Sequence, residues 1–169
     1  MAGLVGIVLA AGAGTRAGGP KARRDGWLAH AVGVLRQAGC ERVIAVLGAA
    51  IVPTDAEVVV ADDWAEGLGA SLRAGLAAAS GDAALVTLVD LPGMPVAAAA
   101  RIVAGATPSS LRRAVYAGRP GHPVLLGRDH WDAVAAAAHG DRGAGPYLRA
   151  HAAEDVECGD LWDGADVDV

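Results

Sequence analysis

The sequence predicts an α/β domain of three layers, with helices on both faces of a mostly parallel sheet. Short apolar runs of strand length alternate with longer amphipathic runs of helical period along the chain. The apolar runs are continuous, as in strands buried on both sides, where one-sided strands would alternate apolar with polar. A glycine-rich segment follows the first run directly, and open α/β sheets bind ligands at the carboxyl ends of their strands.

Leu4–Ala10 (LVGIVLA) reads as the first buried strand. Trp27–Ala38 reads as a helix with Leu28, Ala31, Val32 and Leu35 on one face and Gly39 as its stop. Arg42–Leu47 and Glu57–Ala61 are the next strands, and Leu68–Ala79 is a helix closed by Gly81. Ala84–Val89 is a strand that runs straight into Asp90, and Val96–Ala104 is a helix behind Pro95. Arg113–Tyr116 and Pro123–Leu126 read as short strands, Asp129–His139 and Ala144–His151 as helices, and Asp155–Cys158 as a last strand. Thr107–His122, with Pro108, Gly118, Pro120 and Gly121, is the least regular stretch and reads as a loop framing a site. Its Arg112, Arg113 and Arg119 are either solvated or turned toward an anion.

At 169 residues the chain suits one domain, residues 1–169. Hydrophobic residues make up 53% and charged residues 20%, which excludes a disordered chain. A net charge of −5 argues against an extended nucleic-acid surface. No apolar run reaches the ~18–20 residues that span a bilayer, and the Met1–Ala11 stretch lacks the basic start of a secretory signal. Cys40 and Cys158 make no disulfide framework. The expectation is a cytoplasmic protein without membrane or nucleic-acid partners, acting on small molecules.

Of 14 basic residues 13 are Arg, and the only Lys is Lys21, directly after the glycine-rich loop. An ammonium is a compact point charge that fits beside a phosphate where a guanidinium fork does not. The loop, Leu9-Ala10-Ala11-Gly12-Ala13-Gly14-Thr15-Arg16-Ala17-Gly18-Gly19-Pro20-Lys21, combines close backbone approach with two cations, Arg16 and Lys21, which suits a polyphosphate. A P-loop fits poorly: Pro20 interrupts the Gly-Lys step and Ala22 supplies no hydroxyl for magnesium. A dinucleotide fingerprint fits in part, with Gly12 and Gly14 in place but the third glycine at Gly18, one residue late. It also lacks an acid in Leu47–Ala50 for the ribose hydroxyls. That reading stays open as an NAD(P)-dependent oxidoreductase.

The loop resembles the signature of the MobA-like NTP transferases, the nucleotidyltransferases related to the molybdenum cofactor cytidylyl- and guanylyltransferases. Leu9, Ala10, Ala11, Gly12, Gly14, Arg16, Gly18 and Lys21 meet every fixed position of L-A-[AG]-G-x-[GS]-x-R-x-G-x-x-K. The Leu-Ala-Ala-Gly form is similar to the cytidylyl branch, which makes CTP the expected donor. The resemblance implies a three-layer Rossmann-like nucleotidyltransferase fold. It also implies that the loop holds base and phosphates while Arg16 and Lys21 stabilise departing pyrophosphate.

Asp90, just past a buried strand and stiffened by Pro92 and Pro95, is placed to hold a divalent cation, with an N-cap of the next helix as the plainer reading. The resemblance gives it the Mg2+ of the family's L-x-D-x-P segment. It gives Asp166 the second ligand, with Asp168 as alternate, because Gly164–Val169 resembles the start of a D-[IV]-D-T-P-x-D motif. The chain departs from that motif after Val169, and a solvated acidic tail is the plainer reading. Trp64–Gly75 resembles the W-x-x-G-x-x-x-S-L-x-x-G segment, and Arg119–Val124 the G-x-P-G-H-P-V stretch. These imply Gly67, Ser71 and His122 at the acceptor. Against this, Trp64 reads equally as a sheet-packing aromatic, Ser71 as a helix-surface hydroxyl, and His122 as a structural histidine.

The expectation is nucleotidyl transfer: an acceptor phosphate attacks the α-phosphorus of an NTP, with Lys21, Arg16 and Asp90 as the catalytic residues. The resemblance implies molybdopterin or another phosphorylated small molecule as acceptor, and a molybdoenzyme as recipient of the product. Beside the oxidoreductase, a non-catalytic module that binds a nucleotide or pterin and hands it on is the third reading.

Overall fold

A computed structural model describes residues 3–167. Its strands are β1 (Leu4–Leu9), β2 (Arg42–Leu47), β3 (Glu57–Val60), β4 (Ala83–Leu88), β5 (Leu111–Tyr116), β6 (Arg119–Gly127) and β7 (Glu154–Glu157). They form one sheet in the order β3-β2-β1-β4-β6-β5-β7. The pairs β2–β3, β1–β2, β1–β4 and β5–β7 are parallel, and β6 runs against both its neighbours. The sheet is thus mostly parallel, as the continuous apolar runs predict.

Helices α1 (Trp27–Gln37) and α3 (Val96–Val103) cover one face, and α2 (Leu68–Ala78), α4 (Trp131–Ala137) and α5 (Gly145–Ala150) cover the other. Along β1 the pleat sends Leu4 and Val8 to the first face and Val5, Ile7 and Leu9 to the second, so the strand is buried throughout. Gly6 lies on the first face. A Cβ there would stand 2.8 Å from Leu35 Cδ1, 3.1 Å from Leu35 Cβ and 3.2 Å from Cys40 Sγ, so its absence lets α1 pack close to the sheet. Gly6→Ala is expected to lower stability by about 1–3 kcal/mol through overpacking, read as a drop in the denaturant midpoint.

Most predicted elements match to within one or two residues, but the Arg113–Tyr116 and Pro123–Leu126 strands are longer than predicted, so most of Thr107–His122 is strand and not loop. Leu111–Tyr116 and Arg119–Gly127 make a hairpin whose turn places Ala117 at φ +52° and Gly118 at φ +78°. Backbone N–H groups of Gly159, Gly118 and Ala117 donate to the Glu157 carboxylate and hold its pKa below the usual range. Arg112 and Arg113 lie opposite Glu154 and Asp155 in the parallel β5–β7 register and pair with them at 3.1 and 2.5 Å. These cross-strand charges, with Pro120 beside a register shift near Val115, explain a strand that looks irregular in sequence. Helix α4 begins later than predicted because Arg128–His130 is a 3-10 turn. The Trp131 indole N–H ties α4 to the Leu126 carbonyl at 2.8 Å.

Both cysteines are free and buried, and burial pushes the Cys40 thiol up to about 12. No helix among the described residues is long and apolar enough to cross a membrane.

Candidate functional site

The strand order reverses between β1 and β4, and the loops leaving their carboxyl ends enclose a cleft. Leu9 and Leu68 line three adjoining recesses of it.

The first recess is lined by Leu9, Ala10, Gly12, Gly14, Lys21 and Asp90. After β1 the chain turns at Gly14, at φ +61°, whose carbonyl accepts from the N–H groups of Ala17 and Gly19 at 3.0 Å each. A Cβ at Gly14 would collide with the Gly19 carbonyl, so only glycine closes this turn. The N–H groups of Gly12, Ala13 and Gly14 donate to no backbone carbonyl among the described residues, leaving donors at the recess. Lys21 opens the 3-10 turn Lys21–Arg23 and donates from Nζ to Asp90 Oδ2 at 2.9 Å. The two side chains are 17% and 15% exposed, so water screens their attraction only in part.

Asp90 lies well before α3, whose N-cap position is Pro95, so it does not cap that helix. Its Oδ1 is buried and accepts no hydrogen bond among the described residues. A buried carboxylate oxygen without a donor is a hard ligand suited to Mg2+ or Mn2+, which take one or two carboxylates together with phosphate oxygens. No three His, Cys, Asp or Glu among the described residues could cage a metal. The fit is therefore to a cation shared with a bound polyphosphate.

The other predicted members of this centre are placed differently. Arg16 is exposed in the Thr15–Ala17 turn and does not line the recess. Asp166 is exposed and lines a separate depression with Tyr116 and Arg119. The tail nevertheless reaches the Asp90 loop, since the Val167 N–H donates to the Asp90 carbonyl at 2.9 Å. The alternate ligand, Asp168, lies outside the described residues.

The second recess is lined by Leu9, Ala11, Gly12, Trp64, Gly67, Leu68, Ser71 and Asp141. Ser71 is buried at 4% exposure on the first turns of α2. The Asp141 carboxylate lies against Gly67 at the start of α2. A helix start attracts an anion, and a carboxylate already there opposes one.

His122 lines the third recess, with Leu72, Val86, Val124, Leu148, Arg142 and Arg149 among its walls. Burial pushes the His122 imidazole down to about 4, so it is neutral at neutral pH. Tyr116 donates its hydroxyl to the His122 carbonyl at 2.5 Å and packs edge-on against Trp162 of the tail at 5.4 Å. His122 and Ser71 thus face neighbouring recesses of one cleft. Sequence reasoning missed Arg142 and Arg149. They fall in and after a glycine-rich connection between helices, with no motif to mark them.

The family model described as the MobA-like NTP transferase domain matches residues 6–156. Nicotine blue oxidoreductase of Paenarthrobacter nicotinovorans is 35% identical over 188 residues, covering 98% of this chain and 92% of that protein. Among solved structures, Rv0371c of Mycobacterium tuberculosis H37Rv superposes with a TM-score of 0.81 at 30% identity, covering 99% of this chain and 93% of that one. The structure of Rv0371c in complex with manganese superposes with a TM-score of 0.76 at 28% identity, over 99% and 92% of the two chains.

Proposed function

We propose, from the premise that the chain belongs to the MobA-like NTP transferase family, that it transfers a nucleotidyl group from an NTP to a phosphorylated small molecule. The observation that carries this reading is the meeting of Lys21 and Asp90 beside the glycine-rich loop, with Asp90 Oδ1 buried and accepting no hydrogen bond among the described residues. An acceptor phosphate oxygen forms the new bond to the α-phosphorus as the bond to the β-phosphate oxygen breaks, and pyrophosphate leaves. The acceptor is already anionic, so no protein nucleophile is required.

The chain's part is positioning and charge. The N–H groups of Gly12 to Gly14 face phosphate oxygens, and the Lys21 ammonium takes up charge that develops on the leaving pyrophosphate. Arg16, on the exposed turn of the same loop, acts on the phosphates after it folds inward over them. Asp90 would hold the divalent cation through Oδ1, with Asp166 approaching on the tail. Bound there, Mg2+ or Mn2+ supplies neutralisation of the phosphate oxygens. The Leu9-Ala10-Ala11-Gly12 form supports CTP as donor. Gly67, Ser71 and His122 border the acceptor, for which molybdopterin is the specific candidate.

The oxidoreductase relative favours a second reading, in which the same loop cradles NADH or NADPH. One experiment separates the two: pyrophosphate release with each NTP, Mg2+ and molybdopterin, run beside NADH and NADPH titrations without metal. Transfer predicts metal-dependent pyrophosphate release, greatest with CTP. Tight dinucleotide binding without metal, and no pyrophosphate from any NTP, would replace it with the oxidoreductase.

A further inference from the structure

We propose that the third recess selects an acceptor whose body is an aromatic or otherwise apolar ring and whose anionic group is held by Arg142 and Arg149. This rests on the transfer reading above and narrows its acceptor.

The walls argue for the ring. Leu72, Val86, Val124 and Leu148 supply apolar surface, and the recess is lined by no hydroxyl, amide or carboxylate side chain among the described residues. A polyol phosphate buried there would lose water from its hydroxyls with few side-chain partners to replace it, and each unmet group opposes binding. A ring loses nothing of that kind and gains from the apolar contact. The neutral His122 ring and the planar guanidiniums add faces on which a ring stacks.

The charges argue for the anion and its place. Arg36, Arg42, Arg73, Arg101 and Arg128 are each ion-paired with a carboxylate, and within the recess Arg113 is paired with Asp155. Arg142 and Arg149 line the same recess, are exposed, and make no ion pair or side-chain hydrogen bond among the described residues. In a chain of net charge −5, two guanidiniums without a carboxylate partner at an apolar recess give an anion its partner there. The start of α2 offers the alternative position, but Asp141 occupies that recess.

Isothermal titration calorimetry on the full chain tests this with 1-naphthyl phosphate, 1-naphthol and glycerol 3-phosphate as probes. The naphthyl phosphate is expected to bind at least about tenfold more tightly than either other probe, and R142Q/R149Q to lose about tenfold of that affinity. Thermal melting and the single variant R149Q guard against a folding defect. Equal binding of glycerol 3-phosphate, or undiminished binding to the double variant, overturns the proposal. So does a loss confined to K21A, which would seat the phosphate in the glycine-rich loop. Pyrophosphate released with a sugar phosphate as acceptor would leave transfer standing and sink the ring selectivity. Arginine-dependent naphthyl phosphate binding without pyrophosphate from any NTP would do the reverse.

Discussion

Asp90→Asn is expected to lower pyrophosphate release by about 10²–10³-fold, the scale of losing one preorganised electrostatic partner of a transition state, with the fold unchanged. The substitution keeps the size of the side chain and an oxygen for Lys21, but removes the charge a divalent cation needs at Oδ1. Its signature is metal dependence: the variant should need far more Mg2+ or Mn2+ to reach half its own maximal rate. The side chain caps no helix, so thermal melting should move little. Turnover within about threefold of wild type, a change too small for such a partner, would remove Asp90 from the proposed centre.

Lys21→Ala should cost a similar factor, and Lys21→Arg should recover little of it. The second half is the sharper test, because every other basic residue of the chain is Arg. At 17% exposure and 2.9 Å from Asp90 Oδ2, the ammonium sits where a planar fork needs more room. Kinetics should separate the roles: kcat falls in both variants, while KM for the NTP changes less, as for a group that acts most strongly on the leaving pyrophosphate. Near-normal turnover of either variant would dismiss the assignment.

The sheet was legible because its signal is local. A strand buried on both faces must be apolar along its length, and β1, β2 and β4 are read almost to their ends. That Lys21 and Asp90 border one cleft was legible for a different reason, since in an α/β sheet both follow strands at the carboxyl edge; their direct ion pair was not foreseen. The strands β5 and β6 were legible only in their apolar ends, Arg113–Tyr116 and Pro123–Leu126; the start of β5 was not, because Arg112 is held there by Glu154 of β7, some forty positions later. Arg16 was placed by its nearness to Lys21 in the chain and by the loop motif, and Asp166 by motif alone. A motif fixes neither how a loop turns nor which depression a tail borders. Arg142 and Arg149 carried no signal, since exposed arginines are common and only the fold brings these two to one recess.

The register that sets Leu9 beside Leu88 has an evolutionary corollary. Neighbouring strands are held about 4.8 Å apart by their ladder, so the loops that carry Gly12 and Asp90 leave the sheet side by side, whatever decorates them. Arg142 lies in the 3-10 turn Gly140–Arg142 and Arg149 in α5, both outside that ladder. On the assignment proposed above, a change of cargo calls for rewriting only the stretch that carries Arg142 and Arg149, and the loops at the sheet edge need not change.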